Sequence, residues 1–220
     1  MKKNLKPAYN KLFRRFGEQH WWPGETPFEV CIGAILTQST SWSNVEKAID
    51  NLKNENLLSP EKLNSIETNK LAKHIKSAGY FNAKARKLKE FTGHLSKYDY
   101  DLDEFFSKPT PELREELLSI WGIGPETADS IILYAAEKPS FVVDAYTKRI
   151  FHRLGYTPEN ASYDDLKDFS EKNLPRDTQV YNEFHALIVR LGKEHCKKTK
   201  TNCKECPLLR ECKKNNIRNG

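Results

Sequence analysis

The 220-residue sequence lacks a long apolar run, and no stretch approaches the roughly 20 residues of a membrane-spanning helix. Two lysines follow Met1, but no continuous apolar segment comes after them, which argues against a secretory signal. No alternating pattern of the kind that predicts half-buried strands is present, and there is no recognisable low-complexity segment or repeat. These absences predict an all-α, cytoplasmic protein that does not contact membranes.

Outside the C-terminal segment net positive charge is absent, because 27 Lys or Arg balance 27 Asp or Glu. Residues 193–220 contain nine Lys or Arg and three Asp or Glu, whereas the rest of the chain is neutral, so this segment carries the whole net charge of +6. A basic surface is typical of nucleic-acid binding, but basic tails also merely raise solubility. Charge alone leaves both interpretations open.

Apolar residues recur at helical spacing along most of the sequence. Leu5, Leu12 and Phe16 recur on one face of a first amphipathic helix, and Thr26 followed by Pro27 is a typical helix start. We expect about ten helices of eight to eighteen residues on this basis, and only residues 140–143 favour extended backbone.

A glycine turn and an aspartate stand out between residues 120 and 150. Gly122, Ile123 and Gly124 predict a turn with approachable backbone amides at the start of a helix, an arrangement that binds phosphate oxygens. Asp144, about twenty residues later, stands where the N-cap of a second helix is expected. The same residues would also suit an ordinary helical hairpin with a capping aspartate.

Four of the five cysteines lie near the C-terminus in the spacing C-x6-C-x2-C-x5-C, at Cys196, Cys203, Cys206 and Cys212. Clustered cysteines in a cytoplasmic chain indicate metal binding rather than disulfides. Structural zinc sites usually show two close ligand pairs, and only one close pair is present here. The spacing therefore favours a [4Fe–4S] cluster over zinc. Cys31, on an apolar helical face, is expected to be a buried thiol.

The glycine hairpin IWGIGPETA, the segment VVDAYTKRIF and the cysteine spacing together resemble the helix-hairpin-helix DNA glycosylases of the endonuclease III superfamily, from about residue 28 to residue 212. The cysteine spacing is the most specific part. The resemblance implies two helical subdomains that flank a DNA-binding cleft. One would comprise residues 25–135 and end in the hairpin at about 108–137. The other would comprise residues 1–24 and 138–220, with the [4Fe–4S] loop at 196–212.

The function that the resemblance implies is base excision repair by a monomeric, nucleoid-associated enzyme. Its partner would be double-stranded DNA with a damaged base, which is flipped out before its N-glycosidic bond is cleaved. Gly122, Ile123 and Gly124 would grip a phosphate through main-chain amides. Gln38 would fill the gap that the flipped base leaves, and Tyr80 would wedge into the opposite strand. Both side chains would equally suit an ordinary protein surface.

Asp144 is the essential carboxylate that the resemblance implies. An ionised carboxylate stabilises the oxocarbenium character of glycosidic cleavage, and it could also help to activate water. Lys148, one turn further along, is a potential ion-pair partner, and tight pairing would argue against the catalytic role.

The chain departs from the bifunctional members of this superfamily in the second hairpin helix. These members carry a lysine two residues past the last glycine, where its amine forms a Schiff base and permits strand cleavage. Glu126 occupies that position here, so we expect a monofunctional enzyme that leaves an abasic site. Lys138 and Lys148 are nearby amines that leave weak lyase activity open.

The stretches HWWP, LTQSTSW and GIGPETADSIILYA resemble the 3-methyladenine DNA glycosylase III branch. The resemblance implies a pocket for an alkylated purine from Trp21, Trp22, Trp42 and Glu126, since indole faces attract cationic bases. The tryptophans would also suit core packing. That branch lacks the four cysteines, which keeps an oxidised-pyrimidine or mismatch glycosylase/AP lyase of endonuclease III type as an alternative. A non-catalytic DNA-binding module is a third possible function. Adenine-mismatch activity is not expected, because only eight residues follow Cys212.

Overall fold

The computed structural model describes residues 4–214, and this part of the chain is all-helical without strands. Its α-helices are α1 (Lys6–Phe16), α2 (Pro27–Leu36), α3 (Trp42–Asn54), α4 (Pro60–Ser65), α5 (Thr68–His74), α6 (Phe81–Leu95), α7 (Leu102–Phe106), α8 (Thr110–Ser119), α9 (Pro125–Ser130), α10 (Ala145–Leu154), α11 (Tyr163–Asn173) and α12 (Thr178–Glu194). Two 3₁₀ turns (Lys76–Ala78, Ser96–Tyr98) and one π-helical turn (Ile131–Ala135) complete them. The all-α prediction is confirmed.

The expected minimum helix length of eight residues is wrong. Four described helices have five to seven residues, and α7, with five, has too few residues for helical periodicity to reveal it. Helix α7 forms because the Asp101 carboxylate accepts hydrogen bonds from the backbone N–H groups of Asp103 and Glu104, while Phe105 and Phe106 are buried. A side-chain cap and two buried rings stabilise a helix too short to form alone.

Backbone contacts divide the chain into two compact units. The first comprises residues up to Trp21 together with those from Pro139 onward, and the second comprises Trp22–Lys138. Residues 1–3 and 215–220 of the predicted second subdomain lie outside the described residues.

Helix α2 forms the centre of the second unit, where it packs against α3, α6, α9 and the π-helical turn. Thr26 caps it by accepting a hydrogen bond from the backbone N–H of Glu29 at 3.2 Å, and Pro27 takes its first position. Every residue from Phe28 to Leu36 is buried. The buried acid of this helix, Glu29, pairs with Lys53 at 3.0 Å, which offsets the cost of its desolvation.

Helix α12 forms the centre of the first unit, where α1 and α10 pack against it. Asp177 caps it through the backbone N–H of Val180 at 2.9 Å. Its buried Phe184 meets the rings of Phe141 and Phe151. The helix thereby anchors both the segment that precedes α10 and α10 itself. Within the described range, no helix combines the length and apolar character needed to cross a membrane.

Candidate functional site

The predicted hairpin consists of α8, a turn at residues 120–124 and α9. Gly122 has a φ of +88°, a conformation that side chains other than glycine rarely adopt. Ile123 is buried and fixes the turn from inside. Gly124 has a φ of −97°, and no described atom comes within 4 Å of where its Cβ would stand. Neither backbone strain nor packing requires glycine at 124, and the space that its side chain would take is open.

A buried ion pair holds the two hairpin helices together. Asp129 on α9 is fully buried, and the guanidinium of Arg114 on α8 donates to both of its carboxylate oxygens at 3.0–3.3 Å. A two-pronged bond of this kind fixes geometry as well as charge. The turn between the helices is therefore presented on a rigid support.

Gln38 lies directly against this hairpin. Its Nε2 donates to the Gly122 carbonyl at 3.2 Å and to the Thr127 hydroxyl at 3.0 Å, while the Lys87 ammonium donates to its Oε1. The structure thus brings Gln38 together with the glycine turn. Lys87 and Thr127 were not identified from the sequence, because nothing local marks either residue as a partner of Gln38.

Tyr80, the N-cap of α6, adopts the left-handed conformation with φ +45° and is the most exposed large hydrophobic residue of the described part of the chain at 76%. Left-handed backbone is costly for a tyrosine. An ammonium supports this turn, since the buried Lys84 donates to the Ala78 carbonyl at 2.7 Å. The result is an aromatic ring that projects into solvent from a supported turn.

Two of the predicted pocket tryptophans meet in the second unit. The rings of Trp22 and Trp42 are 5.2 Å apart in an edge-to-face arrangement, and Tyr134 of the π-helical turn lies 5.0 Å from Trp22. Gly33 permits this arrangement, because a Cβ there would stand 3.3 Å from the Trp42 ring and 3.4 Å from Nε1 of Trp22. Tyr134 was not predicted; a glycine inside the otherwise apolar α2 was the available signal for Gly33.

Trp21 and Glu126 have different surroundings. Trp21 belongs to the first unit, where the Lys193 ammonium stands 5.8 Å from its ring. Glu126 is exposed in the first turn of α9, a position where the helix dipole favours a carboxylate. Their membership of a base pocket stays a prediction.

Asp144 is the N-cap of α10, as its position after an extended segment predicts. Its Oδ1 accepts from the backbone N–H of Thr147 at 2.7 Å, and its side chain is only 13% exposed. Burial raises the pKa of this carboxyl, but His185 and the hydrogen bond from Thr147 outweigh burial, so the net pKa lies below its ordinary value. The structure holds Asp144 in its charged form.

His185 on α12, which the sequence did not reveal, faces Asp144. Its Nε2 lies 3.7 Å from Oδ2 of Asp144, an ion-pair distance rather than a hydrogen bond. Lys148, the partner considered from the sequence, contributes only its backbone N–H to the Asp144 carbonyl oxygen, and its side chain is exposed. An ionised carboxylate in a largely buried site can stabilise a positive charge that develops close to it.

The four C-terminal cysteines lie on a loop after α12, and all are half-buried. Burial, together with smaller contributions from Cys196, Cys212 and Cys203, raises the pKa of the Cys206 thiol to about 11. The four sulfurs are thus close enough to interact electrostatically. Among residues 4–214, no group of three or more His, Cys, Asp or Glu side chains has the arrangement that holds a metal ion.

Two arginines of α10 secure this loop. Arg149 donates to the Cys196 carbonyl at 2.9 Å. The buried Arg153 donates to the Lys197 carbonyl at 2.7 Å and to the sulfur of Cys196 at 3.3 Å. These arginines fix the start of the cysteine loop on the helix that Asp144 caps.

Several known proteins are similar to this chain in sequence or in fold. The protein MJ1434 of Methanocaldococcus jannaschii, whose name describes a DNA repair glycosylase, is 50% identical over 93% of each chain. Endonuclease III of Thermotoga maritima is 30% identical over 92% of this chain and 89% of its own. The crystal structure of H. pylori 3-methyladenine DNA glycosylase (MagIII) bound to 1,N6-ethenoadenine superposes with a TM-score of 0.77 at 31% identity, covering 87% of this chain and 98% of that one.

The family model of the HhH-GPD superfamily of base excision DNA repair proteins matches residues 32–176, which is more than half of the chain. The matched range contains the hairpin and Asp144, and it agrees with the resemblance seen in the sequence. This chain belongs to the HhH-GPD superfamily and is a helix-hairpin-helix DNA glycosylase of base excision repair.

Proposed function

We propose that the enzyme is a monofunctional glycosylase that removes alkylated purines such as 3-methyladenine and leaves an abasic site. The observation that carries the proposal is a carboxylate, Glu126, two residues past Gly124, where strand-cleaving relatives would need an amine. Of the two alternative amines, Lys138 donates to the Lys108 carbonyl and Lys148 is exposed. Water, rather than a lysine, therefore completes the reaction.

Asp144 is the catalytic residue in this proposal. A carboxylate that stays ionised stabilises the positive charge that develops on the sugar as the base leaves. The lowered pKa of Asp144 supports this role, because the charged form is present over the whole neutral range. The hairpin amides of Gly122, Ile123 and Gly124 would hold a phosphate, which positions the DNA without reading its sequence.

The aromatic side chains support the choice of base. Trp22 and Trp42 are part-exposed indoles, the buried Tyr134 packs against Trp22, and Trp21 and Glu126 are further candidates for contact with the base. An alkylated purine such as 3-methyladenine is cationic, and aromatic faces attract cations by about 0.5–2 kcal/mol. The similarity to the H. pylori 3-methyladenine glycosylase agrees with this choice.

Incubation with defined lesions tests the proposal. We expect release of 3-methyladenine but not of thymine glycol, and no covalent enzyme–DNA adduct after borohydride reduction. Release of thymine glycol with a trapped adduct would instead support an endonuclease III type of lyase, which the 30% identity to the T. maritima enzyme keeps as the second candidate. Binding without release of any base would indicate a non-catalytic module.

Asp144→Asn separates catalysis from structure. Asparagine caps helices as well as aspartate does, so the fold should persist, whereas excision should fall at least about a hundredfold. Asp177→Asn is the matched control, since Asp177 caps α12 in the same way and has no proposed part in catalysis. Equal loss in both variants would contradict the assignment.

We further propose that Cys196, Cys203, Cys206 and Cys212 hold a [4Fe–4S] cluster. In such a cluster each thiolate binds a different iron atom, so the sulfurs stand farther apart than the ligands of a single ion. The four half-buried, mutually interacting thiols fit this donor set. The cluster would order a loop rich in lysine, and Arg153 would donate to the Cys196 sulfur. Monomeric state and cytoplasmic location stay predictions.

A further inference from the structure

The side-chain amide of Gln38 is held on three sides. Both hydrogens of Nε2 are used, one by the Gly122 carbonyl and one by the Thr127 hydroxyl, and Oε1 accepts from the Lys87 ammonium. An amide of this kind has two donors and two acceptor lone pairs. One lone pair of Oε1 is therefore all that remains for a ligand.

The stem of Lys87 also lies on the hairpin turn. A Cβ on Gly122 would stand 2.5 Å from Cγ and 2.9 Å from Cδ of Lys87, so residue 122 must be glycine for packing as well as for its φ. Lys87 thus contacts both Gln38, which is the gap-filling candidate, and the turn that is the phosphate-grip candidate. Arg86 beside it stacks on Trp121 at 3.8 Å and adds a second link between α6 and the turn.

The charge of Lys87 is directed into the protein, like that of its neighbours on α6. Lys84 donates to the Ala78 carbonyl at 2.7 Å, and Lys89 donates to the Ile66 carbonyl at 2.8 Å. These contacts distinguish Lys87 from the flexible surface lysines that commonly bind phosphate. Its ammonium is already bonded to a specific amide oxygen.

We propose that Lys87 is a positioning residue for the binding of damaged DNA. It fixes the amide of Gln38, which is itself bonded to the hairpin, so that the gap-filling side chain and the phosphate grip form one rigid unit before DNA arrives. Such pre-organisation improves binding because less freedom is lost when the complex forms. This inference rests on the proposed function insofar as Gln38 enters the gap.

The fixed orientation has a consequence for the base opposite the lesion. With both Nε2 hydrogens occupied, Gln38 offers an acceptor and no donor. Each of the four bases carries at least one N–H donor on its pairing edge. The enzyme should therefore show little preference for the opposite base.

Lys87→Met tests the inference, because methionine keeps much of the apolar stem and removes the ammonium. The readout is affinity for a duplex with a tetrahydrofuran abasic site, relative to the same duplex without it. We expect this preference to fall about tenfold, a typical coupling for residues in one hydrogen-bond network. Affinity for the undamaged duplex should stay within about twofold. Lys73→Met, which removes an exposed charge from α5 in the same unit, is the control and should keep the preference.

Combination with Gln38→Ala separates positioning from a direct DNA contact. If Lys87 acts through Gln38, Lys87→Met should cause no further loss in the Gln38→Ala protein. Equal weakening of both duplexes, with a salt dependence reduced by about one phosphate contact, would make Lys87 a phosphate ligand and overturn the inference. Losses that multiply in the double variant would overturn it too.

A measurement without DNA keeps the inference distinct from the proposed function. In ¹⁵N spectra of the free protein, the Gln38 side-chain amide hydrogens should exchange slowly, and they should exchange rapidly in Lys87→Met. If wild type does not distinguish the two duplexes, the gap-filling role of Gln38 fails. The exchange rates then still decide whether Lys87 fixes Gln38, and rapid exchange in wild type would refute that.

Discussion

His185 on α12 faces Asp144 at the start of α10, with Nε2 of the imidazole 3.7 Å from Oδ2 of the carboxylate. His185 is buried, and the Asp144 side chain is nearly so. In such surroundings an unassisted carboxyl would gain a proton readily, because burial raises its pKa. The imidazole is the chief group that reverses this effect and keeps the pKa of Asp144 low.

His185→Gln should therefore move the pH dependence of excision. Glutamine removes the imidazole that lowers the pKa of Asp144 while burial still raises that pKa, so the carboxyl should ionise only at higher pH. Under the proposed function the ionised form of Asp144 is the active one, so the acid limb of kcat/KM should shift toward neutrality. Activity well above the new pKa should change much less.

The pH profile of kcat/KM from about pH 4 to about pH 9 checks this shift. His74→Gln, in the other unit, is the control and should leave the profile unchanged. An acid limb that stays in place in the His185 variant would show that Asp144 does not depend on His185 for its charge.

Local patterns in the sequence predicted much of the candidate site. The two valines before Asp144 and the helix after it identified its cap position, which the Thr147 hydrogen bond confirms. The glycine turn was recognisable for the same reason, because the glycines that permit its backbone conformation lie within the turn itself. Such features depend only on neighbours along the chain.

The missing parts depend on partners that are distant in sequence. His185 lies on an ordinary amphipathic helix, and Lys87 is one of several lysines on α6. The roles of His185 and Lys87 depend on the residues that they contact, and the periodicity of a helix does not reveal these contacts. Tyr134 was hidden for another reason, because its π-helical turn reads as an unbroken apolar helix in the sequence.

Gly33→Ala should disturb the aromatic group of Trp22 and Trp42 without unfolding the protein. The new Cβ would press on both indoles at 3.3–3.4 Å, so the rings must move by a few tenths of an ångström. Alanine favours helix over glycine by about 1 kcal/mol, which offsets part of the strain. If these rings hold the base, KM for alkylpurine excision should rise about tenfold.

Gly93→Ala is the matched control for this substitution. Gly93 also lies inside a helix, and its Cβ would make only an ordinary contact, 3.6 Å from Oδ1 of Asn64. Its KM should remain at the wild-type value while its melting temperature rises. Unchanged KM in Gly33→Ala, together with shifted tryptophan fluorescence, would show that the rings do not contact the base.

Glu116 should govern the acid stability of the second unit. It lies 2.6 Å from the Lys108 ammonium and 2.7 Å from Nε2 of His94, and it accepts from the Tyr98 hydroxyl. Although burial raises the pKa of this carboxyl, these partners lower it to about 2 from 4.5. The stabilisation is present above about pH 4.5 and is lost as pH falls toward 2, and it amounts to roughly 3 kcal/mol.

Urea unfolding across this pH range measures the contribution of Glu116. Glu116→Gln should be less stable at neutral pH, and its free energy of unfolding should fall less steeply below about pH 4.5. Glu115→Gln changes the exposed neighbour and should follow wild type. Identical acid limbs in the two variants would contradict the assignment.

The cysteine loop should bind iron. Wild-type protein purified without oxygen should be brown and contain about four iron atoms per chain, and Cys206→Ser should lose both properties. Cys31→Ala is the control, because Cys31 is fully buried in α2 and should affect stability without changing iron content. Stoichiometric zinc in the wild type would refute the cluster.

Since Arg153 donates to the Cys196 sulfur, Arg153→Met should retain the four cysteines yet lose iron more rapidly to a chelator.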